Sequence, residues 1–185
     1  AIDLANNIYV TGRQDTNNGD MFIRKYDSNG NLVNGFGSGG TVVYNGGFAD
    51  IGKSIAFNFI EGAIYVAGYR QNPAGDTDLI LWKYNSNNGS LFSGWPISYG
   101  GAGSNESGNS VAIYGGNVYV TGWQSTNSGD MILLKFNSSG GLNPAFDGDG
   151  IVAYDLSPTT HIGRGVAVSK DGGTVFVTGY QSTNG

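Results

Sequence analysis

The chain has 185 residues and a net charge of −5 at pH 7, with a pI near 4.5, which argues against a nucleic-acid partner because phosphate recognition requires a basic face. Cysteine is absent, which excludes disulfides, thiolate nucleophiles and cysteine-based zinc sites. No apolar run reaches the roughly 20 residues of a membrane-spanning helix, so membrane insertion is not expected.

Strands are predicted from the start of the chain, in a composition with 33 glycines. The first three are NIYVTG (7–12), DMFIRKY (20–26) and GTVVY (40–44). They are rich in β-branched or aromatic residues and bounded by Gly, Asn, Asp or Ser, which is typical of short strands between turns. The residues before position 7 are expected to end another strand.

The same kinds of strand return along the rest of the chain, now in groups of four. The second group is GKSIAF (52–57), AIYVAG (63–68), DLILWKY (78–84) and PISY (96–99). The third group is GNSVAI (108–113), NVYVTG (117–122), DMILLKF (130–136) and GIVAY (150–154), and GRGVAV (163–168) and TVFVTG (174–179) begin another.

In the four-strand groups the second strand ends in a glycine, and NIYVTG, the first strand of the chain, corresponds to it. This glycine recurs in every group and measures the length of the repeat. Gly12, Gly68, Gly122 and Gly179 are separated by 56, 54 and 57 residues. Self-similarity at such a fixed period indicates a repeat architecture. We therefore divide a single repeat region, 1–185, into units of approximately 1–51, 52–107 and 108–162 and a partial unit, 163–185.

Four short antiparallel strands in each unit of about 55 residues predict an all-β propeller, in which each unit forms one blade. The units also resemble the delta-sixty or SBBP family of bacterial and archaeal β-propeller repeats, most specifically in FGSGGTVVY at 36–44. The resemblance covers essentially the whole chain, although unit two has GWPISY where unit one has GFGSGGTVVY. It implies about three four-stranded blades and a partial one.

A closed propeller needs about four to eight blades. We therefore expect the chain to be part of a larger propeller with further blades in the same longer protein. The alternative is a homo-oligomer in which copies of the chain complete the ring.

An Asp and a Lys recur in the third strand of each unit, at Asp20 and Lys25 and at the matching positions of the next two units. Catalytic groups converge on one point, whereas these are distributed once per blade. We interpret each Asp as an acceptor for N–H groups of the neighbouring turn.

A polar or aromatic pair follows each glycine that closes the second strand. Aromatic rings beside amides or Arg suit sugars, through stacking and hydrogen bonds to hydroxyls. The alternative is that these side chains wedge between neighbouring blades. The candidate glycan-binding residues are Tyr69, Arg70, Trp123, Gln124, Tyr180 and Gln181.

Two other features of the sequence bear on metal binding. Asp147, Asp149 and Asp155 form a candidate Ca²⁺ site, although unit one has FGSGG where FDGDG stands here, which favours a glycine-rich turn. His161 is the only histidine, and without a second histidine or any cysteine a surface position is expected.

The sequence thus predicts a non-enzymatic extracellular or cell-surface scaffold for protein interaction, adhesion or assembly. Its partners would be other protein subunits or surface glycans, with no cofactor required. A lectin-like propeller is one alternative. A polysaccharide lyase or hydrolase is the other, with its catalytic groups outside this segment.

Overall fold

The computed structural model describes residues 1–15, 18–126, 129–155 and 159–182. Parts of the predicted loops, at 16–17, 127–128 and 156–158, and the end of the partial unit, at 183–185, lie outside the described residues. The strands are β1 (Ile8–Gln14), β2 (Asp20–Tyr26), β3 (Thr41–Tyr44), β4 (Asp50–Asn58), β5 (Ala63–Gln71), β6 (Thr77–Asn85), β7 (Ile97–Tyr99), β8 (Glu106–Tyr114), β9 (Asn117–Gln124), β10 (Asp130–Phe136), β11 (Ile151–Tyr154), β12 (Thr160–Val168) and β13 (Val175–Ser182).

These strands form four antiparallel sheets in which consecutive strands are neighbours. Sheet 1 contains β1 to β3, sheet 2 contains β4 to β7, sheet 3 contains β8 to β11, and sheet 4 contains β12 and β13. The thirteen strands predicted from position 7 onward are found, and the prediction of an all-β chain is confirmed. The prediction that the residues before position 7 end another strand is wrong, because that segment forms only an isolated bridge between Ile2 and Ile8. The described residues contain no α-helix, and they include no helix that is long and apolar enough to cross a membrane.

The sheets pack face to face, so that sheet 2 is buried on both sides. Alternate residues of a strand point to opposite faces. In β5, Ile64 and Val66 join a core with Tyr9, Met21 and Ile23 of sheet 1. The intervening Tyr65 and Ala67 join a second core with sheet 3, through Val118, Val120, Ile132 and Leu134.

A β-bulge in the first strand of sheets 2, 3 and 4 explains the glycine that closes their second strand. The register of β8 against β9 shifts between Gly108 and Ser110. A Cβ atom on Gly122, opposite this bulge, would overlap the Ser107 carbonyl oxygen. Gly68 and Gly179 face the carbonyl oxygens of Ile51 and Ile162 in the same way. The glycine is therefore required by a close backbone approach.

The first strands of neighbouring sheets are joined by a repeated hydrogen bond. The backbone N–H of Val111 in β8 donates to Ser54 Oγ in β4, at 3.2 Å. The N–H of Val166 in β12 donates to Ser110 Oγ in β8, also at 3.2 Å. Equivalent serines therefore hold β4, β8 and β12 side by side.

The two outer faces of the stack expose the residue types that are buried inside it. On sheet 1, Val10 is 42% exposed and Val43 is 46% exposed. On sheet 4, Phe176 is 56% exposed, although its counterparts Tyr9 and Tyr65 are at most 1% exposed. Each outer face is thus the repeat equivalent of a packed face.

Candidate functional site

The repeated lysine of the third strand joins one sheet to the next. Lys25 Nζ donates a 2.9 Å hydrogen bond to the carbonyl oxygen of Ser86 in sheet 2. Lys83 Nζ donates a 2.9 Å hydrogen bond to the carbonyl oxygen of Ser138, beyond β10 of sheet 3. Both lysines are buried. They lie at the opposite end of their strands from Asp20 and Asp78, so the Asp and the Lys of one strand do not form a pair.

Aromatic rings and an acid enclose each of these lysines. The Lys83 ammonium lies 5.2 Å from the Tyr65 ring centroid and 5.0 Å from that of Phe92, and it forms a 3.2 Å ion pair with Glu61. The Tyr65 hydroxyl donates to the other oxygen of Glu61 at 2.6 Å. Burial, followed by the hydrogen bond to Glu61, raises the pKa of Tyr65 well above its usual value. The tyrosine is therefore a neutral donor that helps to hold the acid beside the lysine.

The candidate glycan-binding residues lie at the end of the second strand, opposite the start of the first. Tyr69 pairs with Ile51, Trp123 with Ser107 and Tyr180 with Ile162. The structure thus places the three aromatic residues at equivalent positions, as the repeat predicts. Arg70, Gln124 and Gln181 pair one position further along, opposite Asp50, Glu106 and His161.

Cationic side chains lie over two of the three aromatic rings. Lys53 Nζ is 5.0 Å from the centroid of Tyr69, and the Arg164 guanidinium carbon is 5.3 Å from that of Tyr180. The corresponding position in sheet 3 is Asn109, whose amide donates to the Gly163 carbonyl oxygen at 2.8 Å. Trp123, which is half-buried, therefore has a neutral neighbour at the position where its counterparts have a cation.

A second group of residues recurs at each junction between sheets, and sequence reasoning missed it. We call it the junction triplet. It consists of the residue two positions before the bulge glycine of the first strand, its partner in the second strand, and the Asp that opens the third strand of the preceding sheet. The triplets are Asp50, Arg70 and Asp20; Glu106, Gln124 and Asp78; and His161, Gln181 and Asp130.

At the first junction, between sheets 1 and 2, a cation accompanies the acids. Asp50 is fully buried and accepts a 2.6 Å hydrogen bond from the Gly46 N–H. Burial raises the pKa of Asp50, as does the nearby Asp20, whereas the Gly46 hydrogen bond and the charge of Arg70 lower it. Arg70 therefore offsets part of the negative charge at this junction.

The second junction, between sheets 2 and 3, has two carboxylates and Gln124 where the first has Arg70. Glu106 is 2% exposed, and its Oε2 has no hydrogen-bond partner. A Cβ atom on Gly100 would overlap this oxygen and lie 2.8 Å from Asp78 Oδ1, so both oxygens face the same glycine. Burial raises the pKa of Glu106, as do the charges of Asp78 and Asp76, whereas hydrogen bonds from Ser104 and the Gly101 backbone to this carboxyl group lower it.

The third junction contains His161, and the prediction of a surface position for this residue is wrong. Its ring is 4% exposed and packs edge-on against Tyr154, with centroids 5.1 Å apart. The sequence around it is polar, but β12 pairs with β13 from Thr160 onward. His161 is therefore part of a strand, where its side chain is buried. Asp130, the acid of this triplet, accepts from the side chains of Gln124 and Thr126 at 3.3 and 3.0 Å.

The candidate Ca²⁺ residues of unit three are not brought together. Asp147 and Asp149 lie in the exposed turn before β11, where Asp149 Oδ1 accepts from the Ile151 N–H at 2.9 Å. Asp155 follows the far end of the same strand. Within the described ranges, no group of three or more Asp, Glu or His side chains is arranged to hold a metal ion.

An apolar cavity of about 300 Å³ lies between sheets 2 and 3, at the end of these sheets that is opposite the junction triplet. It is lined by the β4–β5 and β8–β9 hairpins, including Phe57, Ile113 and Tyr114. Phe59 and Ile60 at its rim are 67% and 66% exposed. This cavity contains no charged side chain, so its lining favours packing over catalysis.

A scan of protein-family models finds no match to this chain, and a search of curated proteins also finds none. The resemblance to delta-sixty and SBBP repeats therefore stays a prediction.

Proposed function

We propose that this chain is a segment of a β-propeller and acts as a non-enzymatic scaffold for protein interaction or assembly at the prokaryotic cell surface. The location is inferred from a composition that is rich in Asn, Ser, Thr and Gly and has only 12% charged residues. The partner in our proposal is another sheet of the same repeat, and the test below asks whether a second copy of the chain supplies it in place of further blades of the same longer protein.

One observation carries the scaffold proposal: polar residues that recur between units make contacts that join neighbouring sheets. Lys25 and Lys83 bind carbonyl oxygens of the following sheet. Ser54 and Ser110 join adjacent first strands. A repeat whose recurrent polar side chains are engaged in stacking favours a structural role. Side-by-side first strands also suit a propeller, where the first strand of each blade lies nearest the axis.

The choice of partner rests on the two outer faces of the stack. The exposed face of sheet 4 carries Phe176 at the position of Tyr9 and Tyr65, which pack on the following sheet. The exposed face of sheet 1 carries Val10 at the position of Val66, which packs on the preceding sheet. The exposed face of sheet 4 is therefore of the type that packs on the exposed face of sheet 1. Exposed apolar faces of this type favour association.

The test is the mass of the chain in solution, measured by light scattering and native mass spectrometry. We expect a multiple of the 19.3 kDa chain mass. Val10→Asp or Phe176→Asp should give monomers with an unchanged circular dichroism spectrum, because each places a charge in the apolar contact. The matched control is Phe59→Asp, which changes an exposed aromatic residue away from both outer faces and should leave the mass unchanged. A monomeric wild-type chain, or oligomers that persist in both variants, would contradict the choice of partner.

Glycan binding is the second candidate, and the environment of Trp123 favours it. This ring is partly exposed, and the neutral Asn109 stands where cations cover Tyr69 and Tyr180. We expect Trp123→Ala to abolish any glycan-array signal while Tyr69→Ala retains it, with circular dichroism as the check on folding. An array without signal for the folded wild-type chain would remove this candidate.

A further inference from the structure

The second junction differs from the first in its charge balance. At the first junction the charge of Arg70 acts on the buried Asp50. At the second junction, the aligned position is Gln124, opposite Glu106. Neither Asp78 nor Glu106 forms an ion pair with any cationic side chain of the described residues. Two carboxylates therefore share this junction without a protein cation.

One oxygen at this junction is buried and unpartnered. Glu106 is 2% exposed, and Glu106 Oε2 accepts no hydrogen bond. This oxygen and Asp78 Oδ1 both face Gly100, where a side-chain carbon would fill the space between them. A buried carboxylate oxygen without a donor is costly unless a proton or cation neutralises it. The arrangement points to a positive ligand.

The surrounding groups are oxygen-rich and open to solvent on one side. A cavity of about 410 Å³ is lined by Glu106, Tyr99, Ser104 and Gln124, with Gly100 and Gly101. The Tyr99 hydroxyl lies 3.3 Å from Gln124 Oε1. Amide and hydroxyl oxygens and water would complete the coordination that two carboxylates begin.

We propose that the junction between sheets 2 and 3 binds Ca²⁺ through Glu106 Oε2 and Asp78 Oδ1. Ca²⁺ accepts six to eight oxygen ligands in flexible geometry at roughly 2.4 Å, which suits a partly open site with only two carboxylates, whereas Mg²⁺ requires a strict octahedron. Because few ligands are charged, the affinity should fall in the range of about 10⁻⁴ to 10⁻³ M that is typical of extracellular modules. The proposal is independent of the scaffold function.

The first experiment measures the thermal unfolding of the chelated, dialysed chain as CaCl₂ is added. Wild type should gain about 3–5 °C in Tm at ~10 mM Ca²⁺, since a ligand that binds only the folded state stabilises it. Tb³⁺, which replaces Ca²⁺, should show luminescence when tyrosine is excited, because Tyr99 lines the site. No Tm shift and no Tb³⁺ signal would overturn the proposal.

Three variants test whether Ca²⁺ binds at the junction between sheets 2 and 3. Glu106→Gln keeps the shape and removes one charge, so the Ca²⁺ response should be lost. Gln124→Arg supplies the cation that Arg70 provides at the first junction, so it should abolish the response while the chain stays folded. Asp50→Asn makes the equivalent change at the first junction and should leave the response intact.

Two outcomes would overturn the assignment. One is a full Ca²⁺ response in both Glu106→Gln and Gln124→Arg. The other is a response that disappears in Asp149→Asn but survives in Glu106→Gln, which would place the ion at the turn before β11. Oligomer mass is measured separately, so failure of the cation site and failure of the assembly proposal give different results.

Discussion

Lys83 Nζ in sheet 2 lies 2.9 Å from the carbonyl oxygen of Ser138 in sheet 3, and both belong to a contact that recurs one unit earlier between Lys25 and Ser86. The carbonyl accepts a charge-assisted hydrogen bond, and Glu61 balances the charge of Lys83 at 3.2 Å. Such bonds are stronger than neutral ones. The lysine therefore stabilises the packing of one sheet on the next.

Lys83→Met should destabilise the chain by about 2–3 kcal/mol, because the Ser138 carbonyl and the Glu61 carboxylate both lose their cationic partner. The free energy of unfolding is measured by urea denaturation. Lys170→Met is the control, since Lys170 is exposed and its replacement should change stability by less than ~0.5 kcal/mol. Equal changes in the free energy of unfolding for the two variants would contradict the stabilising role of Lys83 between the sheets.

Gly122→Ala tests the bulge. The added methyl group would overlap the Ser107 carbonyl oxygen, and relief requires movement of the β8 backbone, so we expect a loss of about 1–3 kcal/mol or more. Gly35→Ala is the matched control, because a Cβ there meets no atom within 4 Å and the change should be neutral or slightly stabilising. Comparable unfolding midpoints for the two variants would show that the close approach is unimportant.

The buried acids predict a dependence of stability on pH in the absence of Ca²⁺. Burial, with Asp78 nearby, raises the pKa of Glu106 above its ordinary value of 4.5, and burial raises that of Asp50 above 3.8. In the window above these ordinary values, the folded chain binds more protons than the unfolded chain. The free energy of unfolding should therefore fall as pH rises through this window.

Denaturation in chelator at a series of pH values measures this slope, and Glu106→Gln should make it smaller. Acids with lowered pKa values have the opposite effect, but only below about 3.8, where their stabilisation is lost as they take up protons. They are Asp3, Asp27 and Asp171. A wild-type slope that Glu106→Gln leaves unchanged would show that Glu106 ionises normally in the folded chain.

The strands could be predicted from the sequence because their signals are local. Apolar alternation, bounding turn residues and the recurring glycine locate all thirteen strands. The reason for that glycine could not be predicted, because a Cβ atom at this position would overlap a carbonyl oxygen of the neighbouring strand, and that close approach leaves no pattern in the sequence. The acceptors of Lys25 and Lys83 are also backbone atoms, which any residue supplies and which therefore leave no sequence pattern.

The junction triplets escaped prediction for a different reason. Their first members, Asp50, Glu106 and His161, share a structural position but not a residue type. The alignment of units on the bulge glycine could have matched them, since each lies two residues before it. Their burial could not have been predicted, because it arises where the start of a first strand meets the preceding sheet.

The bulge and the repeated serine and lysine contacts have a consequence for how such chains diversify. The packing at each junction depends on recurring residues, whereas the first position of the triplet varies from Asp to Glu to His without loss of the strand pairing around it. Duplication of one unit thus adds a new junction that is already packed. Its chemistry can then diverge by a single substitution, while the other junctions keep theirs.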